Sequence, residues 1–127
     1  MAGVTYDTGV LLAAERGDAT IWSRHRGLLL HGLVPTVPAP VLAQAWRRGS
    51  RQARLAQLLD GCQVEPMLEE HAKAVGQLLG EARRSDITDG AVVEGASRRG
   101  DLIVTGDRSD IEQVAVAAAR MLDVEDV

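Results

Sequence analysis

Short apolar segments alternate along the chain with longer segments of helical periodicity. In the longest helical pattern, residues 68–83, apolar side chains recur at intervals of three and four positions: Leu68, Ala72, Val75, Leu78 and Leu79. Strands are predicted at residues 3–6, 33–37, 63–66, 102–105 and 121–124, and helices at residues 10–15, 20–30, 40–48, 51–59, 68–83, 86–100 and 110–118. This alternation predicts an α/β sandwich with a mainly parallel central sheet flanked by helices.

Composition narrows the class of protein. The chain has 127 residues, which predicts a single domain over residues 1–127, and 46% of them are hydrophobic, which excludes a disordered segment. No apolar run approaches the ~20 residues needed to span a bilayer, and the first residues do not resemble a secretory signal. The single cysteine, Cys62, permits no internal disulfide. We therefore expect a cytoplasmic protein with no membrane partner.

Two predicted strands end at an aspartate. The segment Val4–Tyr6 leads into Asp7, and the segment Leu102–Thr105 leads through Gly106 into Asp107. Because the carboxyl ends of parallel strands line the ligand crevice of an open α/β sheet, these two carboxylates are expected at one edge. The alternative is that each aspartate only caps the helix that follows it.

A third acidic segment begins the helix predicted at residues 86–100. Asp86 and Asp89 are three positions apart, which fits a helix cap and its third helical residue, or two carboxylates that project into the same crevice. Converging carboxylates cannot all stay ionised unless a cation compensates them. Oxygen ligands without His or Cys favour Mg²⁺ or Mn²⁺. Since such an ion activates water for in-line attack, phosphodiester hydrolysis is the reaction to test.

Four segments resemble, in order, the motifs of PIN domains: Val-Thr-Tyr-Asp-Thr-Gly-Val-Leu-Leu at 4–12, Pro-Val-Leu-Ala-Gln at 40–44, Asp-Ile-Thr-Asp-Gly-Ala-Val-Val-Glu-Gly-Ala at 86–96 and Leu-Ile-Val-Thr-Gly-Asp-Arg-Ser-Asp-Ile at 102–111. They span nearly the whole chain. A single-domain PIN protein of this size resembles the VapC-type toxins of toxin–antitoxin pairs. The resemblance implies a PIN-like three-layer sandwich and a ribonuclease dependent on Mg²⁺ or Mn²⁺. It also implies a homodimer, held inactive by a small cognate antitoxin protein.

The same resemblance assigns the site residues. It implies that Asp7, Asp89 and Asp107 are the catalytic metal ligands and that Asp110 is an accessory ligand. The chain departs from the family at Gln44, where PIN domains have a glutamate. An amide can offer an oxygen to a metal or bond a ligating water, but it lacks the charge. Glu94 is either a partial substitute for that charge or an exposed helix acid.

Two other functions stay open beside the ribonuclease. With Gln44 in the second motif, the chain could be a catalytically weakened PIN-fold binding module that acts through its partner. It could also be a metal-dependent phosphatase acting on small phosphate esters. Asp86 and Gln44 are possible accessory residues in the ribonuclease.

Arginines supply candidate contacts to RNA phosphates. If the helix break near Gly49 is mild, Arg47, Arg51 and Arg54 lie close to one face and could hold an RNA backbone beside the acidic site. The alternative is a solvated helix face. The histidines, His25 among them, lack the spacing of metal ligands and are expected to be exposed or locally hydrogen-bonded.

Overall fold

The computed structural model describes residues 3–127, and within them it contains five β-strands and seven α-helices. The strands are β1 (Val4–Tyr6), β2 (Thr36–Pro38), β3 (Gln63–Glu65), β4 (Leu102–Thr105) and β5 (Val124–Asp126). The helices are α1 (Thr8–Glu15), α2 (Ala19–Leu30), α3 (Ala39–Ala45), α4 (Ala53–Asp60), α5 (Glu69–Ala82), α6 (Ile87–Arg99) and α7 (Arg108–Ala117). The predicted alternation of strands and helices is confirmed.

The strands form one parallel sheet in the order β3-β2-β1-β4-β5. Thr5 on the central strand lies opposite Thr36 on one side and Ile103 on the other. Strand order therefore reverses between β1 and β4, because the chain adds β2 and β3 on one side of β1 and β4 and β5 on the other. Such a switch point opens a crevice at the carboxyl ends of the two strands.

Aliphatic side chains fill the space between the sheet and the helices. Val10 and Leu11 on α1 and Val92 and Val93 on α6 are completely buried, and Tyr6 is the one aromatic residue among the fully buried side chains of residues 3–127. Helix α1 contacts both α2 and α4, and α5, α6 and α7 contact one another, while α1 and α6 both contact β1. The arrangement is the predicted three-layer α/β sandwich.

The cap residues of α6 are where the sequence predicts them. The Asp86 carboxylate accepts a hydrogen bond from the backbone N–H of Asp89 at 2.9 Å, which satisfies one free donor of the first turn. Gly100 ends the helix with φ 73°, a left-handed conformation that glycine adopts without steric cost. The Asp86 cap thus fixes where α6 begins beside the crevice, and Gly100 fixes where the helix ends.

The structure corrects the predicted bounds around residues 46–52 and at two strands. Helix α3 ends at Ala45 rather than near Arg48, which has φ 56°, and α4 begins at Ala53 after a 3₁₀ turn. The second strand lies at Thr36–Pro38 rather than at 33–37, and the last at Val124–Asp126 rather than at 121–124. Pairing with neighbouring strands sets these bounds, and local composition does not report that pairing.

No helix in the described part of the chain is both long enough and apolar enough to cross a bilayer.

Candidate functional site

The carboxyl ends of β1 and β4 bring Asp7 and Asp107 to the same crevice. The backbone N–H of Asp7 donates to the Val104 carbonyl oxygen at 2.9 Å, so the Asp7 backbone lies directly beside β4. The buried Thr105 hydroxyl donates to Asp7 Oδ2 at 2.6 Å and accepts from the backbone N–H of Asp107 at 2.9 Å. One hydroxyl thus connects the two acidic segments, and sequence reasoning did not identify Thr105 in this role.

Two glycines allow the turns after β1 and β4 to touch. A Cβ atom on Gly9 would lie 2.6 Å from the backbone nitrogen of Gly106, and one on Gly106 would lie 3.2 Å from the Gly9 Cα. Any side chain at Gly9 would therefore force the turns apart and separate Asp7 from Asp107. The sequence signal for this contact is the presence of a glycine close to each of the two aspartates.

Helix α6 adds Asp89 to the crevice, and its carboxyl group carries the largest perturbation of the group. Burial raises the pKa of Asp89 to about 7, and the negative charges of Asp86, Asp7, Asp110 and Asp107 contribute to the same rise. These carboxylates therefore lie close enough to oppose one another's ionisation. The structure brings together the five aspartates that the motif resemblance and the capping pattern singled out.

Two of these aspartates respond to their neighbours in the same direction. Burial raises the pKa of Asp7; its hydrogen bond from Thr105 opposes the rise, and the charges of Asp107 and Asp86 add to it. The pKa of the exposed Asp110 is raised by its hydrogen bond with Asp107 and by that residue's charge. The crevice is thus a region of net negative charge.

The capping interpretation holds for part of the cluster. Asp86 caps α6, and Asp107 caps α7 by accepting from the Asp110 backbone N–H at 3.4 Å. The Asp7 side chain, by contrast, makes no capping hydrogen bond to α1 and is held by Thr105 instead. Capping therefore does not account for the buried carboxylate at the centre of the crevice.

The donor set matches a hard divalent cation in type and charge, because it consists of carboxylate oxygens at a site of raised pKa. The carboxylate side chains do not point to one common position. Within residues 3–127, no group of three or more His, Cys, Asp or Glu side chains is arranged to hold a metal ion. The bond from Thr105 to Asp7 and the caps made by Asp86 and Asp107 orient these carboxylates towards protein donors. Ion binding would require some of these side chains to turn.

Gln44 lies at the border of the acidic cluster. The hydroxyl of Thr8, the residue after Asp7, donates to Gln44 Oε1 at 2.6 Å. Helix α3 therefore places the Gln44 amide next to the residue that follows Asp7. The side-chain carbonyl oxygen of Gln44 already accepts this hydrogen bond.

Glu94 does not replace the missing charge, and it is not an exposed helix acid. Its side chain is buried, and both of its carboxylate oxygens accept from the Arg98 guanidinium, at 3.0 and 3.3 Å. Arg98 also binds Glu65 on β3 at 2.6 Å. The charge of Glu94 is therefore already paired within the fold.

The predicted arginine face does not form. Because α3 ends at Ala45 and the chain turns at Arg48, the three residues are distributed over two sites. Arg47 and Arg51 line a cavity of about 470 Å³ together with Gln44. Arg54 lines a different cleft, so it is not part of a surface shared with the other two.

No protein-family model matches the sequence, and no curated protein matches it either. Solved structures do match the fold. The DNA-bound VapBC from Salmonella typhimurium superimposes with a TM-score of 0.73 at 15% identity, covering 99% of this chain and 98% of that chain. VapBC2 from Rickettsia felis bound to a promoter DNA fragment gives a TM-score of 0.72 at 14% identity, covering 98% of both chains. PAE2754 from Pyrobaculum aerophilum gives 0.66 at 15% identity, covering 99% of this chain and 84% of that one. At this level of identity the likeness shows the fold: this chain has the PIN-like three-layer α/β fold over nearly its full length.

Proposed function

We propose that this protein is a divalent-metal-dependent endoribonuclease and the toxin of a toxin–antitoxin pair. The observation that carries the proposal is the collection of five aspartates at the switch point between β1 and β4, where the pKa of Asp89 is raised to about 7. A fold gains no stability from carboxylates that oppose one another's ionisation. Such an arrangement, with a strongly perturbed pKa, is typical of functional sites, and a bound cation would relieve the repulsion between the carboxylates.

The surroundings of the crevice supply little positive charge of their own. Arg84 is the cation that lowers the pKa of Asp110, and its guanidinium also donates to Gln113 at 3.2 Å. Arg108, at the start of α7, is paired with Glu112 at 2.7 Å. A bound Mg²⁺ or Mn²⁺ is therefore the simplest way to offset the negative charge of the crevice.

In this proposal, Asp7, Asp89 and Asp107 hold the ion, and Asp110 assists them. An ion held there would lower the pKa of a water that could act as the nucleophile, and it would offset negative charge on the phosphodiester. The remaining side chains are positioning groups: Asp86 and Gln44 orient waters or ligands.

Two further groups orient the site and the substrate. The Thr105 hydroxyl donates a 2.6 Å hydrogen bond to the Asp7 carboxylate and so positions that carboxylate at the end of β1. Arg47 and Arg51 border the same cavity as Gln44, and we assign them to the RNA backbone. Phosphate contacts of this kind carry position rather than sequence, so they leave the identity of the RNA open.

The comparisons support the partner part of the proposal. Two of the matching structures are VapBC complexes, and their fold covers nearly the whole of this chain. We therefore propose a small antitoxin protein as partner. We also propose a homodimer as the working assembly, which the motif resemblance implies, and the cytoplasm as its location, which the composition predicts. A gene immediately upstream that encodes a small protein would be the expected genetic counterpart.

The test is cleavage of structured RNA by purified protein with Mn²⁺ or Mg²⁺, beside the variants Asp7→Asn and Gln44→Glu. Asp123→Asn is the matched control, because it removes one exposed carboxylate outside the crevice. We expect metal-dependent cleavage that is lost in Asp7→Asn and retained in Asp123→Asn. Binding of Mn²⁺, measured separately by calorimetry, should weaken in Asp7→Asn and tighten in Gln44→Glu, since the latter adds a charged oxygen ligand.

The other outcomes identify the competing functions. A native chain that leaves RNA intact, with cleavage appearing only in Gln44→Glu, would indicate a binding module. Turnover of a small phosphate ester without any cleavage of RNA would indicate a phosphatase.

A further inference from the structure

A second site lies at the opposite end of α1 from the aspartates. A cleft of about 610 Å³ is bordered by Gly17 between α1 and α2, by Ala19 at the start of α2 and by Gly61 directly after α4. Helix α1 has eight residues, which at 1.5 Å per residue puts its two ends about 12 Å apart. The cleft is therefore separate from the acidic crevice, and its volume is within the usual range for small-ligand sites.

The charge of this cleft is opposite to that of the whole chain. Arg26 and Arg54 line it, and none of the residues that line it is acidic. Neither arginine forms an ion pair or a side-chain hydrogen bond with any residue in the range 3–127, although the chain as a whole has a net charge of −4. Two guanidinium groups with free donors suit an anion that can accept several hydrogen bonds, such as phosphate.

A histidine at the base of the cleft adds a third donor. His25 is only 2% exposed, and its Nδ1 lies 2.9 Å from the hydroxyl of the equally buried Tyr6. A buried phenol must donate its hydrogen, and Nδ1 is the acceptor that the structure offers it. Neutral His25 then carries its own hydrogen on Nε2. The imidazole is thus oriented as a donor on the side away from Tyr6.

The Nε2 atom is open to the cleft. It has no hydrogen-bond partner among the described residues. Within residues 3–127, every side-chain nitrogen or oxygen that is fully enclosed does have a partner. Nε2 is therefore not fully enclosed. A Cβ atom on Gly61 would lie 2.8 Å from Nε2, so the missing side chain at that position leaves the donor uncovered. His25 is therefore almost completely buried, its Nε2 is not fully enclosed, and the residue lines the cleft.

An aromatic ring of fixed orientation completes the cleft. The indole N–H of Trp22 donates to the Ala14 carbonyl at 3.1 Å, and its ring meets His25 edge to face with centroids 5.9 Å apart. A ring held in this way loses little entropy when a ligand packs on it. Aromatic rings stack on any of the nucleic-acid bases, because every base has a π-face.

We propose that this cleft binds a mononucleotide, with the phosphate bonded by Arg26, Arg54 and His25 Nε2–H and the base beside Trp22. The proposal does not depend on the function of the aspartates. It assigns a ligand class to a part of the fold that the carboxylate chemistry does not use.

Binding is tested with adenosine 5′-monophosphate as the probe, in a Trp46→Phe background that leaves Trp22 as the only fluorophore of its type. We expect saturable quenching of Trp22 in the millimolar range or tighter. Arg26→Gln and Arg54→Gln should each weaken binding about 10-fold, since each removes a charge-assisted contact from an exposed position. Arg120→Gln, which removes an exposed arginine outside the cleft, is the matched control and should bind like the parent protein.

Two further measurements separate the proposal from its competitors. Inorganic phosphate and adenosine should each bind more weakly than the nucleotide, because each offers half of the contacts. The ¹⁵N resonance of His25 Nε2 should shift on nucleotide binding in the parent protein and not in Gly61→Ala, whose methyl group covers that atom. A normal circular dichroism spectrum confirms that each variant is folded.

Several results would overturn the proposal. These are the absence of saturable quenching, equal weakening in Arg120→Gln and in the two cleft variants, or adenosine binding as tightly as its monophosphate. Displacement of the nucleotide by a much tighter-binding oligoglutamate peptide would also overturn it, because the cleft would then be a docking site for an acidic protein segment.

Discussion

The charge at Asp89 gives the sharpest test of the acidic crevice. We expect Asp89→Asn to stabilise the metal-free protein, and to do so more strongly as the pH rises. Asparagine keeps the shape of the side chain and removes its charge. It also retains the cap of α6, because the backbone N–H of residue 89 is the group that donates to Asp86.

The sign follows from the direction of the pKa change. In the folded protein the Asp89 carboxyl keeps its proton up to about pH 7, whereas in the unfolded chain it loses the proton near 3.8. Between these values the folded state binds more protons than the unfolded state, so stability falls as the pH rises from about 4 to about 7. Below that window both states are protonated, and above it the loss is constant.

The magnitude is set by the size of the rise and by exposure to solvent. At 1.36 kcal/mol per pKa unit, a rise from 3.8 to about 7 corresponds to about 4 kcal/mol at face value. Asp89 is only half-buried, and solvent screens such interactions strongly, which reduces the expected cost to about 1–2 kcal/mol. About 1 kcal/mol of this should develop between pH 5 and pH 8.

The assay is urea unfolding with EDTA at pH 5 and pH 8, for the parent protein, Asp89→Asn and the exposed control Asp123→Asn. The measured quantity is the change between the two pH values in the stability difference from the parent, because the titrating groups that do not interact with Asp89 cancel. Added Mn²⁺ should raise the stability of the parent protein at pH 8 and have a smaller effect on Asp89→Asn. If Asp89→Asn behaves like Asp123→Asn at both pH values, the carboxylates are not coupled and the argument for a cation fails.

Two further substitutions test the framework around the site. Gly9→Ala should cost about 1–3 kcal/mol, because its Cβ would lie 2.6 Å from the backbone of Gly106. By contrast Gly80→Ala, in open space on α5, should stabilise the protein by up to ~1 kcal/mol. If Gly9→Ala and Gly80→Ala changed the free energy of urea unfolding equally, the close contact between Gly9 and Gly106 would be ruled out. Arg99→Met should cost about 3 kcal/mol, because the Arg99 guanidinium pairs with carboxylates on β3 and beside β4 at 2.7 and 2.9 Å. The exposed pair of Lys73 serves as control: Lys73→Met should cost no more than ~0.5 kcal/mol, and a comparable loss in thermal unfolding would contradict the assignment.

The elements with strong local signals were predictable. Helix α6 begins after Asp86 and ends before Gly100 because a capping carboxylate and a glycine with positive φ act within one turn of the backbone. The strand Leu102–Thr105 matches its apolar run. The predicted bounds of β5 were displaced by three residues at its start and two at its end, because that strand is defined by its pairing with β4 and not by its own composition.

The candidate site was predictable in its members and not in its geometry. The positions of Asp7 and Asp107 at strand ends indicated that they would meet, and the structure places them in one crevice. The contact of Gly9 with Gly106 and the role of Thr105 depend on which strands are neighbours. Nothing local to either segment contains that information.

The predictions that failed were those that extrapolated a local pattern across a change of direction. The three arginines at 47, 51 and 54 have helical spacing, but the chain turns at Arg48, and Arg54 lines the cleft beside Gly17 instead. Glu94 has the spacing of a site residue on α6, yet its face of the helix packs towards Arg98 and Glu65. Periodicity predicts the face of a helix and does not predict what that face meets.

By itself, the order of apolar segments and aspartates determined that this protein is a parallel α/β sandwich with acids at its strand ends. Hydrophobic periodicity, capping and turn chemistry act over a few residues, and they can therefore be identified from the sequence. Only the tertiary structure decided that β1 lies between β2 and β4, that five carboxylates share one crevice, and that two arginines without a partner among residues 3–127 line a cleft together with His25. These features arise from contacts between residues distant in sequence, whose energies depend on distance and burial in the folded chain.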